Sequence, residues 1–249
     1  MSARSGRRHS SRPGSASRAA AWNADASGLG AAFDAAFWDG DPGAYRDTRG
    51  GAAVHPEDGN AFAILAGLAS PAEATSALAY LSAHESRPYG NSIAENDTWN
   101  APDWGFQAGE RVYPFISYYE VLARYAAGLD ASALELIRRE WGAMATDPAH
   151  PGVWEDVGPN NAPTDPWPSW NAGWSTGAAA VLTEEVLGVH PTSPGFATFT
   201  VTPHPDDLTF ARGLVPTPRG YITVSWQRTG DQTKVTVAAP PGEVWTNAR

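Results

Sequence analysis

The chain has 249 residues, 42% hydrophobic and 18% charged, with 27 Asp and Glu against 17 Lys and Arg. That is a globular composition long enough to bury a sizeable core, and a net charge of -10 opposes nucleic acid and anionic membrane surfaces. With 0 Cys, disulfides, thiolate metal sites and a Cys nucleophile are excluded, and no apolar run reaches the roughly 18 residues of a membrane-spanning helix.

The first segment is an appendage by composition. Residues 1–21 are Ser-, Arg-, Gly- and Ala-rich, without apolar periodicity, and are expected to be a disordered basic leader. Arg7 and Arg8 lack the apolar stretch that an export signal requires, which tilts the expectation toward the cytoplasm over secretion. A misassigned or vector-like start on a longer gene is the favoured explanation of the leader. Without its five arginines the remainder carries 12 basic against 27 acidic residues, or -15.

Helical periodicity then dominates. Leu29, Phe33, Phe37 and Trp38 recur at helical spacing before a Gly/Asp turn, and Phe62, Leu65 and Leu68 repeat the pattern over 57–68. Ser70-Pro71-Ala72-Glu73 combines a capping box with Pro at the first helical position, predicting a helix to about residue 83. Residues 86–112 read as a long polar loop. Pro114 opens a helix that Gly128 closes, Asp130 caps the next, and residues 146–170 form a second long loop. A helix over about 173–187 ends at Gly188. Periodicity of two follows in 196–202, 220–227 and 233–238, predicting strands. Six helices thus precede a small antiparallel β module. Long loops within a compact domain are usually functional, and helices paired by short turns would gather them on one rim.

Several stretches, taken together, resemble the inverting α-L-rhamnosidases. They are Trp38-Asp39 with Gly43 to Asp47, His55-Pro56-Glu57-Asp58-Gly59-Asn60-Ala61, Val112 to Val121, Ala133 to Gly142, Gly152-Val153-Trp154-Glu155, and Gly173-Trp174-Ser175-Thr176-Gly177. Their order is similar to that in the C-terminal half of the six-hairpin (α/α)6 barrel plus its trailing β-sandwich. The resemblance implies a partial barrel over 22–192 and an antiparallel β-sandwich over 193–249. It also implies hydrolysis of terminal α-L-rhamnosyl residues with inversion, by an enzyme whose N-terminal half, with the general acid, has no counterpart here. The implied partners are a rhamnosylated glycoside or oligosaccharide and that missing half, with no nucleic acid and no membrane.

Inverting hydrolysis requires a carboxylic acid to protonate the leaving oxygen and a carboxylate to activate water, about 6.5–9.5 Å apart. The resemblance assigns the base to Glu155, after Trp154. Asp156 beside it is expected to keep the site polar. Glu95, Asp97 and Asp103, in the first long loop, are the remaining acid candidates and, better, acceptors for sugar hydroxyls. Trp99, Trp104, Trp154, Trp170 and Trp174 are candidates for a sugar-stacking platform, because an indole offers a flat apolar face with one donor. Trp38 and Trp141 fall on helical stripes and are expected in the core, as are Tyr118, Tyr119 and Tyr125. Arg111 is expected to pair with Glu110 or Asp103, or to contact sugar. The family often carries His before Gly-Trp-Ser, whereas Trp170 and Ala172 stand here, which puts sugar specificity in question.

No cofactor or metal is expected, since the six His show no His-x-x-x-His pair and no Gly-rich phosphate loop occurs. A different reading of the same residues is a catalytically inactive carbohydrate-binding or structural remnant.

Overall fold

Helix starts follow local signals in the computed structural model, which describes residues 15–50, 53–96, 109–159, 161–163 and 169–246. The capping box is formed in full: the Ser70 amide donates to Glu73 Oε2 at 2.7 Å and the Glu73 amide to Ser70 Oγ at 3.3 Å, opening α3 (Pro71–His84). Pro114 opens α4 (Pro114–Ala126), which Gly128 closes at φ +75°. Before these lie α1 (Ser15–Phe37) and α2 (Glu57–Leu65), and after them α5 (Asp130–Thr146). A continuous helical stretch then runs through a 3₁₀ turn (Gly173–Thr176), α6 (Gly177–Val181) and a π turn (Leu182–Val186).

Two expectations change. Residues 15–21 are helical rather than structureless, because Ala19, Ala20 and Ala21 are strong helix formers continuous with the rest of α1. Asp130 is the first residue of α5 rather than its cap, and its carboxylate accepts from His204 Nδ1 at 2.7 Å instead.

Helices α2, α4 and α6 form an inner row, with α4 packed on both neighbours, while α3 backs α2 and α5 backs α4. Gly177 permits the closest approach in this row: a Cβ there would lie 2.5 Å from the Tyr118 ring. One apolar cluster joins Ala61, Leu78, Leu81 and Ala123 across α2, α3 and α4. A larger one runs from α4 and α5 through Trp154 and Val181 into the strands at Phe199, Ile222, Val224 and Trp226. Trp141 and Tyr125 are buried in it as expected, and Tyr118 packs against it. Trp38 is half-buried, its ring edge-on to Tyr45.

Two short hairpins, β1–β2 (Trp38–Asp39 with Ala44–Tyr45) and β3–β4 (Ser86–Arg87 with Gly90–Asn91), tighten the helical connections. The β unit has two sheets. In one, β6 (Thr198–Val201) pairs antiparallel with β5 (Val189–Pro191) and parallel with β10 (Val244–Thr246). In the other, β7 (Phe210–Thr217), β8 (Gly220–Thr229) and β9 (Gln232–Ala238) form an antiparallel meander. Strand β7 escapes the sequence pattern because Gly213 interrupts it; Leu187 stands over that glycine, 2.7 Å from where a Cβ would be. Among the described residues no helix is long and apolar enough to cross a membrane.

Candidate active site

The segments leading into the inner helices lie side by side. The Glu57 amide, at the start of α2, donates to the Ile93 carbonyl at 3.1 Å, and the Ile93 amide donates to the Arg111 carbonyl at 3.1 Å. Val112 and Val157 exchange both backbone hydrogen bonds, at 2.9 and 2.8 Å. The Glu155 amide donates to the Ser169 carbonyl at 2.9 Å, and the Ala172 amide to the Val153 carbonyl at 2.8 Å. Residues 54–57, 93–95, 111–113, 153–157 and 169–172 thus form one rim at the N-terminal ends of α2, α4 and the 3₁₀–α6 stretch.

On this rim Glu155 stands between two buried anchors. Trp154 is 1% exposed and its indole donates to the His150 carbonyl at 3.2 Å. Asp156 is fully buried, 3.9 Å from Arg111 Nε. Glu155 itself is half-buried, and among the described residues its carboxylate has no hydrogen-bond or ion-pair partner. The flanks fix the backbone and leave the carboxylate free for an external group.

The other expected residues divide sharply. Trp154 is not a sugar platform, because the core encloses its ring. Asp156 does not hydrate the site, because burial removes it from solvent. Trp170 is half-buried with one face stacked on His150, centroids 3.8 Å apart at 14°. Trp174 is 57% exposed on the 3₁₀ turn and stays available for stacking. Arg111 reaches Asp156 and the Tyr113 hydroxyl at 3.3 Å rather than Glu110. Asp97, Trp99, Asp103 and Trp104 lie outside the described residues.

Glu95 is committed to protein partners. Its oxygens accept from the His55 amide at 3.1 Å, lie 3.2 Å from His55 Nδ1, and accept from the Tyr80 hydroxyl at 3.4 Å. Burial, followed by the Glu95 charge, pushes the Tyr80 phenol up to about 12. The other ring nitrogen of His55 meets Asp39 Oδ2 at 3.2 Å, and Arg46 also pairs with Asp39. Partial desolvation opposes the charged form of Asp39, but the His55 hydrogen bond and the Arg46 charge outweigh it and hold the carboxyl below its usual range. Sequence reasoning missed this Asp39–His55–Glu95 array, since its members are far apart in the chain.

Behind the rim lies a buried acidic group that sequence reasoning also missed. Glu57, Glu85, Glu120 and Glu140 are all fully buried. Glu120 accepts from Asn91 at 2.9 Å and pairs with Arg124, whereas both oxygens of Glu57, Glu85 and Glu140 lack a hydrogen-bond partner. Burial first, and repulsion from Glu120 second, pushes Glu57 and Glu85 well above the usual carboxyl range; burial does the same to Glu140. Neutral acids are the form a low-dielectric interior tolerates. Among the described residues no group of three or more His, Asp or Glu is placed to hold a metal ion. Two grooves, each of about 440 Å³, are lined by β-unit residues and touch none of the expected site residues.

Comparison with known proteins bears on the fold. Residues 188–246 match the bacterial alpha-L-rhamnosidase C-terminal domain. An alpha-L-rhamnosidase of Alteromonas sp. (strain LOR) is 34% identical over 99 residues, covering 32% of this chain. The GH78 family rhamnosidase of Bacillus sp. GL1 superimposes on 92% of the chain with a TM-score of 0.66 and 27% identity. The chain is similar to the α-L-rhamnosidases. The Streptomyces avermitilis α-L-rhamnosidase solved with L-rhamnose shares the fold over 92% of the chain, at a TM-score of 0.63 and 18% identity. The chain spans only 11% of the Alteromonas protein, 23% of the Bacillus one and 20% of the Streptomyces one. It carries the partial (α/α)6 barrel and β-sandwich expected from its sequence.

Proposed function

We propose that this chain supplies the general-base side of an inverting α-L-rhamnosidase site, with Glu155 as the base. The observation that carries this is the half-buried Glu155 carboxylate, which has no partner among the described residues and lies on the rim between buried Trp154 and Asp156. An ionised carboxylate so placed accepts a proton from a water attacking the anomeric carbon, while an acid on the opposite side protonates the leaving oxygen. A terminal rhamnosyl residue of a glycoside is the substrate, and Trp174 offers it an exposed apolar face.

The acid belongs to a second group of helical hairpins. The inner row exposes Phe62 and Phe115, with Tyr119 between them at centroid distances of 4.6 and 5.7 Å. Such a contiguous apolar face favours coverage by other helices. The domain limits 22–192 and 193–249 suit this reading, the inner row lying within the first.

The test uses a donor that needs no leaving-group acid. α-L-Rhamnosyl fluoride should be hydrolysed slowly by the chain, with the β-anomer as first product by proton NMR, and Glu155→Gln should remove that activity. Hydrolysis unchanged in Glu155→Gln would discard the assignment. Binding of L-rhamnose with no turnover of the fluoride would favour the inactive sugar-binding reading.

A further inference from the structure

The meander sheet is two-faced. Its inner face, Val215, Ile222, Val224 and Trp226, is buried, and the Trp226 indole donates to the Val186 carbonyl at 2.9 Å. Alternation then aims the next residues outward. A solvent-facing sheet surface is ordinarily polar, yet Phe210 and Tyr221 are each 65% exposed here. The register sets Phe210, Gln227 and Lys234 in one cross-strand row, and Arg212, Ser225 and Thr236 in the next. These six line a shallow groove of about 440 Å³.

The groove's cations are unlike others of this unit. Arg228 is engaged by the Asp206 carbonyl and Arg219 by the Gly242 carbonyl. Arg212 and Lys234 are exposed and have no ion-pair partner among the described residues. These two positive charges, about 12 Å apart across two strand spacings and two residues along the strands, sit in a chain of net charge -10.

We infer that this groove binds an anionic, carboxylate-bearing glycan. The Phe210 ring takes the apolar face of one sugar ring. Arg212 and Lys234 take carboxylates of neighbouring units through charge-assisted hydrogen bonds. Ser225, Gln227 and Thr236 between them match hydroxyls. The site lies on the β unit, remote in the chain from Glu155, and does not depend on the proposed catalysis.

Affinity electrophoresis of the full chain in gels containing polygalacturonate, with neutral galactan as the comparison, tests this. Retardation is expected in polygalacturonate, weakening as salt rises. Phe210→Ala and the double variant Arg212→Ser/Lys234→Ser should each weaken it at least about tenfold. All these side chains are exposed, so circular dichroism should be unchanged. No retardation of the wild-type chain, equal retardation in galactan, or equal binding to polyglutamate would overturn the inference. So would an unchanged double variant, or dimerisation by light scattering that the same substitutions abolish, which would make the face a protein interface.

Discussion

The amide of Glu155 donates to the carbonyl of Ser169 at 2.9 Å and so ties together two stretches of one long connection. The hydrogen bond uses the backbone only, so it fixes the position of Glu155 without occupying its carboxylate. Position and reactivity of this residue are therefore separable by mutation.

Glu155→Gln should leave stability within about 0.5 kcal/mol of wild type, since the carboxylate has no partner among the described residues to lose. Trp154→Ala should cost about 3–5 kcal/mol through the cavity left by a buried indole. Urea denaturation of both variants checks the contrast. A Glu155→Gln loss as large as that of Trp154→Ala would mean that the carboxylate supports the fold.

The buried acids predict a pH dependence with a definite sign. Glu57, Glu85 and Glu140 have folded-state pKa values raised above their unfolded values. Their contribution is fully present below the ordinary Glu range and is lost as pH rises through the raised values. The melting temperature should therefore fall from pH 5 to pH 9. Glu57→Gln, which keeps the shape and removes the ionisation, should flatten that decline. An equal slope in wild type and variant would show that Glu57 does not titrate in this window.

Arg124 joins Glu120 to Ser82 within the helical core, its Nη2 donating to Ser82 Oγ at 3.0 Å. Arg124→Met should cost about 3–5 kcal/mol, because it leaves Glu120 buried with its charge uncompensated. Glu120→Gln/Arg124→Met together should recover part of that loss in a double-mutant cycle.

Gly188 joins the helical and β units at φ +84°, and a Cβ there would lie 2.3 Å from the Thr202 carbonyl carbon. Gly188→Ala should destabilise by more than about 2 kcal/mol, since both the left-handed backbone and a rigid backbone neighbour oppose it. Gly128→Ala, equally left-handed at φ +75° but with open space around it, should cost less. Equal losses at the two sites would remove the clash as a cause.

Much was legible locally. The Ser70 capping box, Pro114 and Gly128 each act within a few residues, so their helix boundaries follow from the sequence. The alternation of Ile222, Val224 and Trp226 marks β8 and its buried face for the same reason. The order and spacing of the stretches from Trp38-Asp39 to Gly173-Trp174-Ser175, taken together, indicated the partial barrel. Strand β7 was not legible, because its Gly213 answers to Leu187, which is distant in sequence.

What only the tertiary structure decided is which polar side chains are committed. Trp154 and Glu95 looked like sugar contacts because they lie in loops, but the fold buries one and gives the other to His55 and Tyr80. The array of Asp39, His55 and Glu95, and the burial of Glu57, Glu85, Glu120 and Glu140, bring together residues separated by tens of positions. Helical and strand periods are set by the backbone and its nearest neighbours, so a sequence displays them directly. Desolvation and pairing of charge depend on what the folded chain brings within a few ångströms, and no local pattern encodes that.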